Sequence, residues 1–142
     1  MKHKTLLAAI IPAMLLLSAC ASSQKDDDKK TILPETVFHM WCAAFTQDDF
    51  QAAYDLLSSR SKEGHSKDYG VNNGRDYEKH VKKAIPKYKD IFKEAEIHMR
   101  IYSSKKALGH ATLNDKKPYE VHFVRENGKW RIDYIGEISL AP

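Results

Sequence analysis

The hydrophobic pattern of this chain changes its period once, near residue 96, and no other feature limits the fold as much. Before that point apolar residues recur at helical spacing, and after it they alternate with polar residues, as in half-buried strands. The apolar positions of the four alternating runs are Ile97, Met99 and Ile101; Ala107, Gly109, Ala111 and Leu113; Tyr119, Val121 and Phe123; and Trp130, Ile132 and Tyr134. This pattern predicts an α+β fold in which helices precede a meander of about four antiparallel strands.

The dipeptide Asn127-Gly128 separates the last two runs and is a strong signal for a two-residue hairpin turn. Such a turn places Phe123 opposite Ile132 and Val121 opposite Tyr134. Because both pairs are apolar, the turn and the pattern agree on one buried face of the sheet. The helices are the only elements available to cover that face.

Three helices are predicted ahead of the strands. Their apolar positions are Val37, Phe38, Trp41, Ala44 and Phe45; Phe50, Ala53, Tyr54 and Leu57; and Tyr77, Val81, Ala84, Ile85, Tyr88, Phe92 and Ala95. We expect Asp48 to cap the second helix, and Pro86 to kink the third helix or divide it in two. The polar segment 58–75 is predicted to be a long loop.

The N-terminus has the pattern of a secretory signal, in which Lys2 and Lys4 precede an apolar run over 6–17 and then small residues. Leu17-Ser18-Ala19-Cys20 resembles the lipobox of bacterial lipoproteins, and this resemblance implies a lipidated Cys20 as the first mature residue. We therefore expect a signal peptide over 1–19, and the lipidated cysteine with a flexible tether over 20–32. Several acyl chains anchor a protein stably. In Gram-negative lipoproteins a non-acidic residue after the cysteine goes with the outer membrane, so for such a host the resemblance and Ala21 imply an anchor in the outer membrane of the cell envelope, facing the periplasm; a Gram-positive host is the alternative.

Composition narrows the classes of function. The formal charge of the 142-residue chain is +4, and half of it leaves with the two signal-peptide lysines, which argues against a nucleic-acid partner. A hydrophobic content of 42% excludes whole-chain disorder. With Cys20 used for lipid, Cys42 has no disulfide partner, and its apolar helix favours a buried, inert thiol.

Two strings and the order of elements carry a resemblance to a known fold. DDFQAAYDLLS at 48–58 and FVRENGKWRID at 123–133 resemble the second helix and the final hairpin of the nuclear-transport-factor-2-like (cystatin-like) superfamily. The resemblance covers about residues 33–138. Within that superfamily, the chain is similar to small bacterial lipoproteins of unknown function. It implies a domain over 33–142 in which three helices and a curved sheet form a cone with an apolar pocket.

The resemblance also implies which residues line that pocket. They are Trp41, Phe45, Tyr54, Tyr88, Phe123, Arg125, Trp130 and Tyr134. The carboxylate–tyrosine pair of the superfamily's isomerases does not map onto this sequence, and general catalytic motifs are absent from it, so no catalytic residue is assigned. We expect a non-enzymatic module for a small apolar ligand or an envelope partner protein. The alternatives are a small isomerase or hydrolase, and a structural protein that dimerises through its sheet face.

One histidine pattern suggests a metal site. His98, His110 and His122 each fall on a different predicted strand, on the face opposite the apolar one. In one register they lie side by side, and the final hairpin adds Asp133 next to His122. Imidazole and carboxylate groups suit zinc or copper. The alternative is an ordinary polar face, since a register shift of two residues breaks the row.

Overall fold

The four strands form one open antiparallel sheet in the order β1-β2-β3-β4, which confirms the predicted meander. The structure is a computed structural model that describes residues 31–101 and 103–138. The predicted signal peptide, Cys20 and the tether up to residue 30 lie outside the described residues. The strands are β1 Ala95–Ile101, β2 Lys106–Leu113, β3 Pro118–Glu126 and β4 Lys129–Glu137.

Five helices precede the sheet in the described part of the chain, where the sequence predicted three. They are α1 Pro34–Thr46, α2 Phe50–Asp55, α3 Ser59–Tyr69, α4 Gly74–Ala84 and α5 Tyr88–Phe92. α1 contacts β1 and β4, and α3 contacts β4. α1 supplies much of the aromatic core that packs against the apolar face of the sheet. Phe38 and Phe45 from α1 meet Phe123 and Ile132 from the sheet in the core, and all four are about 1% exposed.

The segment 58–75 contains a helix, so the prediction of a long loop was wrong. The Ser58 side chain accepts a hydrogen bond from Ser61 N at the start of α3, and Gly70 ends the helix with a φ of 69°. No residue of α3 is fully buried, and the helix therefore has no apolar stripe to predict it from. Pro86 lies between α4 and α5, which confirms one of the two expected effects of that proline.

The α1–α2 turn uses its two aspartates differently from the prediction. Asp49, not Asp48, caps α2 by accepting a hydrogen bond from Ala52 N at 3.0 Å. Asp48 has a φ of 58° and directs its carboxylate to the Tyr88 hydroxyl, at 2.5 Å, and to the Lys89 ammonium. This contact ties the turn to α5.

The β3–β4 register follows the prediction only as far as Phe123, which pairs with Ile132. A β-bulge then shifts the register, so that Val121 pairs with Ile135 rather than with Tyr134. The extra residue is Asp133, which is buried, whereas Tyr134 is 55% exposed. Placing Tyr134 on the buried face was therefore wrong, because one inserted residue reverses the alternation beyond it.

Candidate functional site

A cavity of about 970 Å³ lies where α1, α3, α4 and α5 meet β2, β3 and β4. Its apolar lining includes Trp41, Phe45, Val81, Phe92, Leu113 and Ile132. Its polar lining includes Arg60, His65, Asp68, His80, Asp133 and Glu137. Pockets of this size and composition suit a small organic ligand, with polar groups that orient it.

Three of the eight predicted pocket residues line this cavity, namely Trp41, Phe45 and Tyr134. The other five lie elsewhere. The Tyr54 ring packs on Tyr77 with ring centres 5.7 Å apart, and the Tyr88 hydroxyl donates a hydrogen bond to Asp48. Phe123 and Trp130 lie in the core, and the Arg125 guanidinium lies 6.0 Å from the Trp130 ring centre. The cavity is therefore displaced from the predicted set towards α3, the helix that the sequence did not indicate.

Trp41 and Tyr77 bring polar atoms into the apolar lining. Within the described residues, Trp41 Nε1 is buried and has no hydrogen-bond partner of normal geometry. Burial raises the pKa of the Tyr77 hydroxyl, and the nearby Trp41 indole opposes that effect. Tyr77 is consequently neutral at any physiological pH, and its hydroxyl can donate to an acceptor on a ligand.

Asp133 joins β4 to the start of α3 beside the cavity. Its Oδ1 accepts hydrogen bonds from Ser58 Oγ at 2.6 Å and from Arg60 Nε at 3.2 Å, and its Oδ2 accepts one from Arg60 Nη2. Burial alone would raise the pKa of this carboxyl, but the bonds from Arg60 and Ser58 outweigh burial and lower it. The group is ionised at neutral pH with both oxygens occupied, so it holds structure rather than transferring protons.

Two histidines from α3 and α4 meet at the cavity and were not singled out as site residues by the sequence. Their ring centres lie 5.8 Å apart, and the His80 ring lies 4.4 Å from that of Tyr69. His65 Nδ1 is 2.8 Å from Ser61 O. Burial lowers the pKa of His80, and the charges of His65 and Lys83 lower it further. His80 is therefore neutral at pH 7 and offers an uncharged ring to a ligand.

The predicted metal row does not form. His98 pairs with His110 across β1 and β2 as expected, but His122 pairs with Leu108 on one side and Tyr134 on the other. The β2–β3 register is shifted by two residues from the one that the row needs, and the bulge turns Asp133 away to Arg60.

Glu120 takes the position opposite His110 that the row assigned to His122. Its Oε1 lies 2.5 Å from His122 Nε2 and its Oε2 lies 4.0 Å from His110 Nε2. Among residues 31–101 and 103–138, no three His, Cys, Asp or Glu side chains are already arranged as a metal centre.

Cys42 is buried and unpaired, and burial raises the pKa of its thiol to about 12. The thiol is therefore protonated and unreactive at neutral pH, which confirms the expected buried thiol. The helices of the described residues are all too short or too polar to cross a bilayer.

Fold and site together define an α+β protein in which helices and an open antiparallel sheet surround an apolar cavity with polar groups at its border. No protein-family model matches the chain, and no curated protein matches its sequence.

Proposed function

We propose that this protein is a non-enzymatic binding module of the bacterial envelope that holds a small apolar ligand in its cavity. The cavity is the observation that carries the proposal, because about 970 Å³ is room for an organic molecule. Its apolar lining supplies the free energy of binding through the hydrophobic effect. The likeness to the nuclear-transport-factor-2-like superfamily is part of the same proposal and rests on the two sequence strings and the helix-then-meander order.

The Asp133 carboxylate at the cavity favours binding over catalysis. Both of its oxygens are occupied by Arg60 and Ser58, whereas a general base needs a free lone pair directed at the substrate. His65 donates its Nδ1 proton to Ser61 O, so its Nε2 can accept a hydrogen bond from a ligand. The Tyr77 hydroxyl suits an acceptor on the ligand such as a carbonyl oxygen.

Ala84→Trp is expected to weaken binding of an apolar fluorophore by about tenfold or more, because the residue is exposed at the cavity and an indole there fills part of it. The measurement is saturable fluorescence of N-phenyl-1-naphthylamine added to the full chain in lipid nanodiscs, with empty nanodiscs subtracted. Lys87→Trp, an exposed position away from the cavity, is the matched control and should bind as the unmodified protein does. Equal affinity in the two variants, or no saturable binding at all, would contradict the proposal.

The location of the module depends on Cys20. We expect the native mature protein to begin at Cys20 and to carry acyl chains there, since two or more chains give stable anchoring. Mass spectrometry of the N-terminal peptide from the native host measures this directly. An unmodified N-terminus, or one that starts at another residue, would remove the envelope anchor from the proposal without affecting the cavity.

A further inference from the structure

We propose that the sheet face opposite the helices binds a divalent transition-metal ion through His110, Glu120 and His122, with His98 adjacent. This set differs from the row that the sequence predicted, because Glu120 replaces Asp133 as the carboxylate. Imidazole nitrogens with one carboxylate oxygen are a ligand set that zinc takes readily and magnesium does not.

The strand register brings the three proposed ligands together. His98, His110 and Glu120 are directly paired across β1, β2 and β3, and His122 follows Glu120 by two residues on the same face of β3. Directly opposed side chains have Cβ atoms about 4.5–5.5 Å apart, which is within reach of a shared ion. The ligands therefore come from rigid strands, and only their side-chain torsions need to adjust.

The side chains already point at one another in pairs. Each oxygen of Glu120 faces a different imidazole, at 2.5 Å from His122 Nε2 and at 4.0 Å from His110 Nε2. A metal ion would replace the proton shared by Glu120 and His122, and rotation of the His110 ring would supply a second nitrogen. The Tyr134 ring packs on His122, with ring centres 5.7 Å apart, and limits the freedom of that imidazole.

The side chains of the three proposed ligands are partly exposed to solvent, so an ion can reach them from water. The side chains of His110, His122 and Glu120 are 61%, 45% and 39% exposed. Glu120 contributes one negative charge, and the Asp133 carboxylate is close enough to His122 for their charges to interact. Because imidazoles must lose their protons to bind, the affinity should fall on acidification.

Zinc titration of the untagged full chain, by calorimetry with zinc chloride, tests the site. We expect one ion per chain, with His122→Ala and Glu120→Gln each weakening binding by about tenfold or more, and magnesium chloride giving no signal. Circular dichroism without metal checks that each variant is folded, as expected for partly exposed side chains.

His39→Ala is the matched control, since His39 is an exposed histidine of α1. It should leave zinc affinity unchanged. No zinc uptake by the unmodified chain, or equal losses in the His39 and His122 variants, would overturn the site. His122 also borders the cavity, but zinc binding needs no apolar ligand, so this test and the cavity test can fail separately.

Discussion

Replacing Phe45 by alanine is expected to lower the free energy of unfolding by about 3–5 kcal/mol, because the change leaves a void in a core that cannot fully collapse. Phe45 is 1% exposed. Its ring centre lies 4.6 to 6.5 Å from those of five other aromatic residues, Trp41, Phe50, Tyr77, Tyr88 and Phe92. Urea-induced unfolding followed by tryptophan fluorescence measures the loss.

Met40→Ala is the control for this prediction, because Met40 is on the same helix but 43% exposed. It should change the free energy of unfolding by about 0.5 kcal/mol or less. Phe45 also lines the cavity, so its removal enlarges the proposed ligand site. An apolar ligand that binds only the folded protein should then restore part of the lost stability, in proportion to RT ln(1 + [L]/Kd). Similar losses of unfolding free energy in Phe45→Ala and Met40→Ala would contradict the prediction that Phe45 lies at the centre of the core.

The sequence was sufficient where the burial of apolar surface alone decides the structure of an element. The alternation in β1 and β2 predicted the buried face of both strands, because a one-residue slip would expose the whole apolar set of each strand. Alternation does not fix the pairing between strands: the register assumed for the histidine row holds for β1 and β2 and differs by two residues for β2 and β3. The stripe on α1 predicted Trp41 and Phe45 as inward-facing residues for the same reason. In these elements the burial of apolar surface decides the structure, and that is the signal that the sequence carries most directly.

The sequence was insufficient where distant polar contacts decide the structure. α3 has no fully buried residue, and it is held in part by Arg60, which pairs with a residue 73 positions away. Asp133, the residue at the bulge, accepts hydrogen bonds from Arg60 and from Ser58, which is 75 positions away. The hydrophobic period of the sequence carries no information about these polar contacts. A prediction based on it therefore left out the α3 side of the cavity and placed Tyr134 on the wrong face of the sheet. The Ser58 cap at its start and Gly70 at its end were the local signs of the helix.

Asp133→Ala is expected to lower the free energy of unfolding by about 2–3 kcal/mol, since hydrogen bonds to a charged group contribute more than neutral ones and their loss strands a buried donor. The Asp133 side chain is 5% exposed, and Ser58, its partner, is fully buried. The same junction is closed by backbone bonds from Ser58 N to Ile132 O, at 2.7 Å, and from Ile132 N to Leu56 O, at 2.9 Å. Losing the carboxylate should therefore loosen α3 from β4, which urea unfolding and amide exchange at Ser58 would show.

Asp133→Asn separates the charge of this side chain from its shape, and its effect should depend on pH. The pKa of Asp133 is lowered in the folded protein, so the folded state binds fewer protons than the unfolded state as the pH falls below the unfolded value of about 3.9. The stability that Asp133 contributes is complete above that value and is lost as the pH falls through the folded pKa. The difference between the unmodified protein and the Asn variant should thus be constant above about pH 5 and shrink in acid. Glu96→Gln, an exposed carboxylate on β1, controls for removing one charge. A difference that stayed constant to pH 2 would show that the ionised carboxylate is not what holds α3 against the sheet.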